Sequence, residues 1–282
     1  MAREYAKLNL NKMTRVLSKL NKSELIDSKK VVSKGIRTAQ SKAKESNCYY
    51  CGTPCSSFCN SHTIPAFSLR NIAQKGKLFS ANKVIEMRLV EMEKGVKAAG
   101  TFQIICKSCD NTIFQEYENP ENYLNEITSK MLAQIHLKNT LKMISQRKME
   151  IQLYANIQFG NQGKFKNKIN QMDLTELEEE LAYAKRKINK SYKGDYQIIF
   201  HKKLDYVIPI AFQGAVVLPI DLKGAVINNI YNANPKHKMK WIQMAILPME
   251  ATSEIILFVD KGNIRYREFR KQLNSVDSLE KN

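Results

Sequence analysis

Two Cys-x2-Cys pairs, Cys48-Tyr-Tyr-Cys51 and Cys106-Lys-Ser-Cys109, enclose the hexapeptide Asn60-Ser61-His62-Thr63-Ile64-Pro65. A two-residue gap lets both sulfurs of a tight turn face one ion, so the two pairs together can offer four thiolates to a tetrahedral zinc. The series Cys51-x3-Cys55-x3-Cys59 offers other ligand choices. The outer four are preferred, because each belongs to a Cys-x2-Cys unit and the second pair otherwise has no partner. Cys55 and Cys59 then read as small packed residues or spare thiols. All six cysteines fall between 48 and 109. Such clustering suits a metal site in a reducing cytoplasm better than a disulfide framework.

The order of these pieces resembles the zinc-supported HNH nucleases, also called ββα-metal or treble-clef nucleases. The matching residues are Cys48 and Cys51, Ser61-His62 with Ile64-Pro65, then Cys106, Cys109 and Asp110-Asn111. The match covers about residues 48–118, roughly a quarter of the chain. The resemblance implies a zinc that is structural only, a short hairpin carrying His62, and a helix starting at Asp110. It implies His62 as general base, since a neutral imidazole can take a proton from water near pH 7. It also implies a catalytic divalent ion, Mg²⁺ or Mn²⁺, to neutralise charge at the scissile phosphate. The family usually has an acidic metal ligand before the histidine, and here that residue is the neutral Ser61. The charge partner is therefore expected to have moved to Asp110, with Asn111, Ser61 or Asn60 completing the shell and Glu116 or Glu118 within reach.

The rest of the 282-residue chain is consistent with a nucleic-acid partner. Forty-five Lys and Arg against 27 Asp and Glu give a net charge of +18, a balance that favours a polyanion. Residues 1–45 alone hold 12 basic and 4 acidic residues and read as a basic helical segment with apolar positions from Leu8 to Leu20. DNA is the expected partner, with RNA as the alternative. No apolar run reaches membrane-spanning length: Tyr206 to Ile220 is interrupted by Pro209, Gln213 and Pro219. A soluble cytoplasmic protein is expected.

The expected architecture is α+β: residues 46–120 a zinc-stapled ββα-metal module, 121–195 a helical region, and 196–282 a small antiparallel sheet domain closed by a helix over 263–273. That last domain is a candidate surface for a homodimer or partner protein. Within this frame, Leu78 to Val96 reads as a charged helix, and 121–158 as a long helix whose apolar stripe includes Met131, Ile135, Leu141 and Ile144. His136, on that helix, has no ligand type at i+3 or i+4 and is expected to be structural. Residues 159–170 read as a glycine-containing basic loop, in which Lys164, Lys166 and Lys168 around Phe165 could meet phosphates and a base. The helix from Asp173 opens on a capping box with Glu176. Short apolar runs at 197–200, 206–212, 215–220, 241–247 and 254–259 read as strands. The competing functional reading is a non-catalytic zinc adaptor or interaction subunit, with Ser61 as the mark of a lost activity. Small stand-alone HNH chains occur in restriction and phage defence, which places the enzyme reading by analogy only.

Overall fold

A computed structural model describes residues 22–80, 93–156, 160–190, 194–232, 234 and 237–279. The elements in chain order are α1 (Lys22–Lys42), β1 (Ser61–His62), α2 (Ala66–Ile72), β2 (Lys77–Phe79), β3 (Glu93–Gly95), β4 (Thr101–Phe102), α3 (Lys107–Ile113) and α4 (Gln115–Glu118). They continue with α5 (Ser129–Asn156), α6 (Gly160–Lys190), β5 (Tyr196–Leu204), β6 (Phe212–Val216), β7 (Ile242–Pro248), β8 (Ser253–Asp260) and α7 (Arg267–Leu279). The apolar positions from Leu8 to Leu20 lie outside the described residues. None of the described helices is long and apolar enough to cross a membrane.

Helix α5 is the centre. Its 28 residues include no Gly or Pro and span about 42 Å at 1.5 Å per residue. Every residue from 131 to 141 is buried, so the helix is enclosed on all sides rather than along one stripe. Thr140 bonds the carbonyl of His136 in its own helix, and the other polar residues in that stretch survive burial by reaching partners in other layers. Gln134 Oε1 accepts from Tyr117 N at 2.9 Å, on the zinc side. His136 meets the Tyr196 hydroxyl at 3.0 Å and Glu180 of α6 at 2.9 Å, which gives it the structural role expected. Asn139 donates to Gln243 of β7 at 2.9 Å.

Helices α5 and α6 form an antiparallel pair, as the contacts His136 with Glu180, Arg147 with Asp173 and Lys166 with the Tyr154 ring require. The expected loop over 159–170 is a finding to the contrary: α6 begins at Gly160. Gly160 and Gly163 fall in its first turn, and the Lys, Asn and Gln residues that follow tolerate a helix well. Likewise the expected helix over Leu78–Val96 is a strand at each end, β2 pairing antiparallel with β3, while its middle lies outside the described residues. The long helix expected over 121–158 starts only at Ser129, because Pro120 opens a separate 3₁₀ turn capped by Asn119.

The C-terminal sheet is antiparallel in the order β5-β8-β7-β6. Registers Gln243 with Phe258 and Ala245 with Ile256 place these four side chains on one face. One apolar cluster joins Cys48, Phe102, Tyr117, Ile135, Ala245 and Phe258, so the sheet and the zinc-side segment share a single core across α5. The sheet's other face holds a smaller cluster of Ile199, Ile242, Val259, Tyr266 and Phe269 beneath α7. The run 206–212 forms no strand before Phe212. Pro209 there has no N–H to give a ladder, and the Ile208 N–H goes to the Ser253 hydroxyl at 2.8 Å.

Candidate metal centre and the His62 hairpin

The sulfurs of Cys48, Cys51, Cys106 and Cys109 all lie within 4.8 Å of one another, a cluster that could hold a metal ion and that fits a zinc module. Tetrahedral zinc with Zn–S bonds of about 2.3 Å holds its sulfurs about 3.8 Å apart. The first knuckle closes through the Gly52 N–H, which donates to Cys48 O at 2.8 Å with Gly52 at φ +75°. A side chain at that positive φ would be strained, which explains a glycine directly after the second cysteine. The second knuckle is also a helix start. Cys106, not Asp110, caps α3: its Sγ accepts from Cys109 N at 3.4 Å, while Cys48 Sγ accepts from Cys106 N at 3.3 Å.

The thiols respond to one another as a crowded set does. Hydrogen bonding with Thr53 lowers Cys51 to about 6, whereas burial and the neighbouring cysteines push Cys109 up. Four thiolates this close need a cation among them. Cys55 and Cys59 stand outside the set and give their thiols to the carbonyls of Thr53 and Ile105. Burial and the nearby Asp110 carboxylate push Cys59 up to about 12. The first knuckle is anchored on the helical pair: Lys185 of α6 donates to Tyr49 O at 2.6 Å, and Lys148 of α5 to the Tyr49 hydroxyl at 3.1 Å.

Between the knuckles, β1 pairs antiparallel with β4, Ser61 opposite Phe102 and His62 opposite Thr101. Alternation along the strand sends the two neighbours to opposite faces. Ser61 turns inward and is fully buried; His62 shares its face with Thr101. The His62 Nε2 lies 2.9 Å from the carbonyl oxygen of Val96. A carbonyl only accepts, so Nε2 carries the proton in this contact, and the lone pair of the neutral ring is at Nδ1.

Behind the hairpin, the Asp110 carboxylate is engaged twice at one oxygen. Ser61 Oγ donates to its Oδ1 at 2.6 Å, and Lys138 Nζ of α5 donates to the same atom at 2.6 Å. Lys138 also donates to Glu118 Oε1 at 3.0 Å and lies 3.7 Å from the Phe114 ring centroid. Its side chain is 0% exposed, against 18% for Asp110 and 36% for Glu118. Of the further carboxylates named from sequence, Glu118 thus joins this group, and Glu116 pairs instead with Lys130 at 3.2 Å. Asn111 is exposed, one residue along α3.

These contacts test whether the residues fit a catalytic divalent ion. Mg²⁺ or Mn²⁺ would supply Lewis-acid charge at a phosphate, and Ser61 and Asp110 would have to hold it. Asp110 already serves the Lys138 ammonium, Ser61 gives its hydroxyl to the same Asp110 oxygen, and a second cation on that oxygen would meet strong like-charge repulsion in a poorly solvated place. With Lys138 in position, the set does not fit a divalent ion.

On the solvent side of the hairpin lies a cleft of about 560 Å³ whose lining includes Asn60, Thr101 and Gln103 from the hairpin and Arg37, Lys94 and Lys142 around it. Among the described residues no Asp or Glu lines it. Lys142 donates to Thr101 O at 3.0 Å, and burial, then the positive charge of Lys94, lower it to about 8. Lys164, Lys166 and Lys168 are exposed residues of α6 and do not line this cleft; the side chain of Phe165 lies outside those described.

Sequence reasoning missed Lys138 and Lys142. Their signal was present: 131, 135, 138, 142, 145 and 149 keep a three-four spacing that places both lysines in register with Met131, Ile135 and Met149. Two lysines in a buried seam need an anion nearby or expect one. Compared with known proteins, the chain matches no family model, no curated protein and no solved structure.

Proposed function

We propose that the chain is an HNH-type endonuclease that hydrolyses phosphodiester bonds of DNA, with His62 as general base. The observation that carries the reading is the contact of His62 Nε2 with the Val96 carbonyl, which holds the ring with its basic nitrogen at Nδ1. A water in reach of Nδ1 can give up its proton there as its oxygen attacks phosphorus and the opposite P–O ester bond breaks, the leaving alkoxide taking a proton from solvent water. The acid-free cleft beside the hairpin supports a polyanionic substrate, since Arg37, Lys94 and Lys142 offer charge that no carboxylate among its described lining residues offsets. The four-cysteine site serves as the scaffold that fixes β1 against α3.

The test is nicking of supercoiled plasmid in Mg²⁺ and in Mn²⁺ by the parent and by His62→Ala of equal zinc content. The parent is expected to produce open circles and the variant none. Equal cutting by both would remove His62 from the reaction. If neither cuts and the parent still binds DNA, the second reading takes over: a zinc-containing nucleic-acid-binding adaptor. One observation favours that reading, namely that Lys138 holds the oxygens a catalytic ion would need.

Either reading gives the cleft a pH signature. Lys142, lowered to about 8 in the free protein, must be charged to hold a phosphate, so bound polyanion raises its pKa and affinity falls as pH rises past 8. Between pH 7 and 9 the parent is expected to lose about tenfold in affinity for a duplex oligonucleotide through this group. Lys142→Met removes that component. Fluorescence anisotropy at fixed salt reads both, and an identical pH dependence in parent and variant would place DNA elsewhere. The sign for stability is the opposite: the unfolded chain keeps this lysine protonated to higher pH, so the group's penalty on folding is relieved between about pH 8 and 10.5.

A further inference from the structure

We infer that Lys138 is the resident cation of the Asp110–Glu118 site, occupying the place of a divalent ion, and that removing its amine converts the site into one that binds Mn²⁺ or Mg²⁺. This does not depend on the chain being a nuclease. Two helices converge on the ammonium through Asp110 and Glu118, and β1 joins them through the Ser61 contact with Asp110. Ser61 from β1 and Asp110 from α3 are linked at 2.6 Å, Lys138 reaches the same Asp110 oxygen at 2.6 Å, and Glu118 from α4 lies 3.0 Å from Nζ. The Tyr117 hydroxyl donates to that Glu118 oxygen at 3.3 Å, and the face of Phe114 closes one side.

A fully buried ammonium is costly unless its charge is matched, and here two carboxylates face it. The group of three therefore carries one net negative charge in the parent and two when the amine is absent. An enclosed pair of carboxylates with a serine hydroxyl beside them is the oxygen donor set that hard divalent ions take. Lys138 is thus a positioning residue: it ties the strand that carries His62 to the two helices that follow the second knuckle, and it does so with a charge that no change of metal concentration removes.

The experiment uses zinc-loaded full-length protein and Mn²⁺ as the probe, read by the loss of free Mn²⁺ signal in electron paramagnetic resonance and by thermal unfolding with and without the ion. The parent is expected to show no Mn²⁺ site that Asp110→Asn removes and no Asp110-dependent shift of Tm with the ion. Lys138→Ala is expected to lower Tm by on the order of 10 °C, since it leaves two partly buried carboxylates unpaired. Mn²⁺ is expected to bind it at one ion per chain and to restore most of that loss, and adding Asp110→Asn is expected to abolish both effects. A purely structural lysine would give the drop in Tm without the metal rescue. Should Lys138→Ala not fold, Lys138→Met, which keeps most of the side-chain volume, carries the same measurement. An Asp110-dependent Mn²⁺ site in the parent, or no such site in a folded Lys138 variant, would overturn the inference. Mn²⁺ binding is read without any cleavage, so this inference and the nuclease proposal fail separately.

Discussion

Removing the metal from the four-cysteine cluster is expected to unfold the segment from the first knuckle to α4 and, through the shared core, to destabilise the whole chain. Structural zinc sites contribute on the order of 10–16 kcal/mol of apparent binding energy at neutral pH, as large as the total stability of an ordinary domain. The local elements of this segment are short: β1 and β4 are two residues each and α3 is seven. Cys48 and Cys109 are also members of the main apolar cluster, so losing their ligand bonds opens the core as well as the site. One zinc per chain is expected by colorimetric assay, with Cys48→Ser and Cys109→Ser each losing it and showing early, broad thermal unfolding. Cys55→Ser and Cys59→Ser are expected to keep full zinc, because their thiols point to carbonyls outside the cluster. Loss of zinc in either of these two would mean that the ligand set is drawn wrongly.

The second large effect belongs to His62. If the ring acts as general base, His62→Ala is expected to slow nicking by roughly 10²–10⁴ while leaving zinc content and duplex affinity unchanged. Ser61, not His62, is the fully buried residue of β1, so truncating the half-buried His62 removes less packing. The discriminating control is chemical rescue. Free imidazole is expected to restore part of the activity of His62→Ala, because the truncation leaves room for a base and the attacking water is otherwise undisturbed. A variant that loses DNA binding along with cleavage would instead mark His62 as part of the binding surface.

The cysteines of the first prediction could be read from their spacing, whereas the role of His62 in the second is what the HNH resemblance implies. The four clustered cysteines are legible because metal-ligand chemistry favours a two-residue gap, a constraint that acts within four residues of chain. His62 is legible from the hexapeptide around it, whereas the carbonyl that orients it is not: Val96 is 34 residues away and contributes only backbone. The Asp110 environment was misjudged for a related reason. Its partner Lys138 lies 28 residues on, in a seam shared with Met131, Ile135 and Met149, and a lysine there is easily taken for one that reaches solvent. The 159–170 segment was misjudged because two glycines and a run of polar residues resemble a loop, while packing of α6 against α5 decides the conformation. The sheet was legible in its strands but not in its attachment, since pairing partners such as Asn139 and Gln243 are 104 residues apart.

The enclosure of α5 has a consequence for how this chain can vary. Each residue added to a helix turns everything beyond it by about 100°. A single-residue insertion before residue 134 would therefore swing Gln134, His136, Lys138 and Asn139 away from the backbone amide, the hydroxyl, the two carboxylates and the amide that receive them. No change further along the helix could restore them, because all four lie beyond the insertion and turn together. The length of this segment is accordingly as constrained as its composition, and natural changes in chain length should fall in the connections at either side of it.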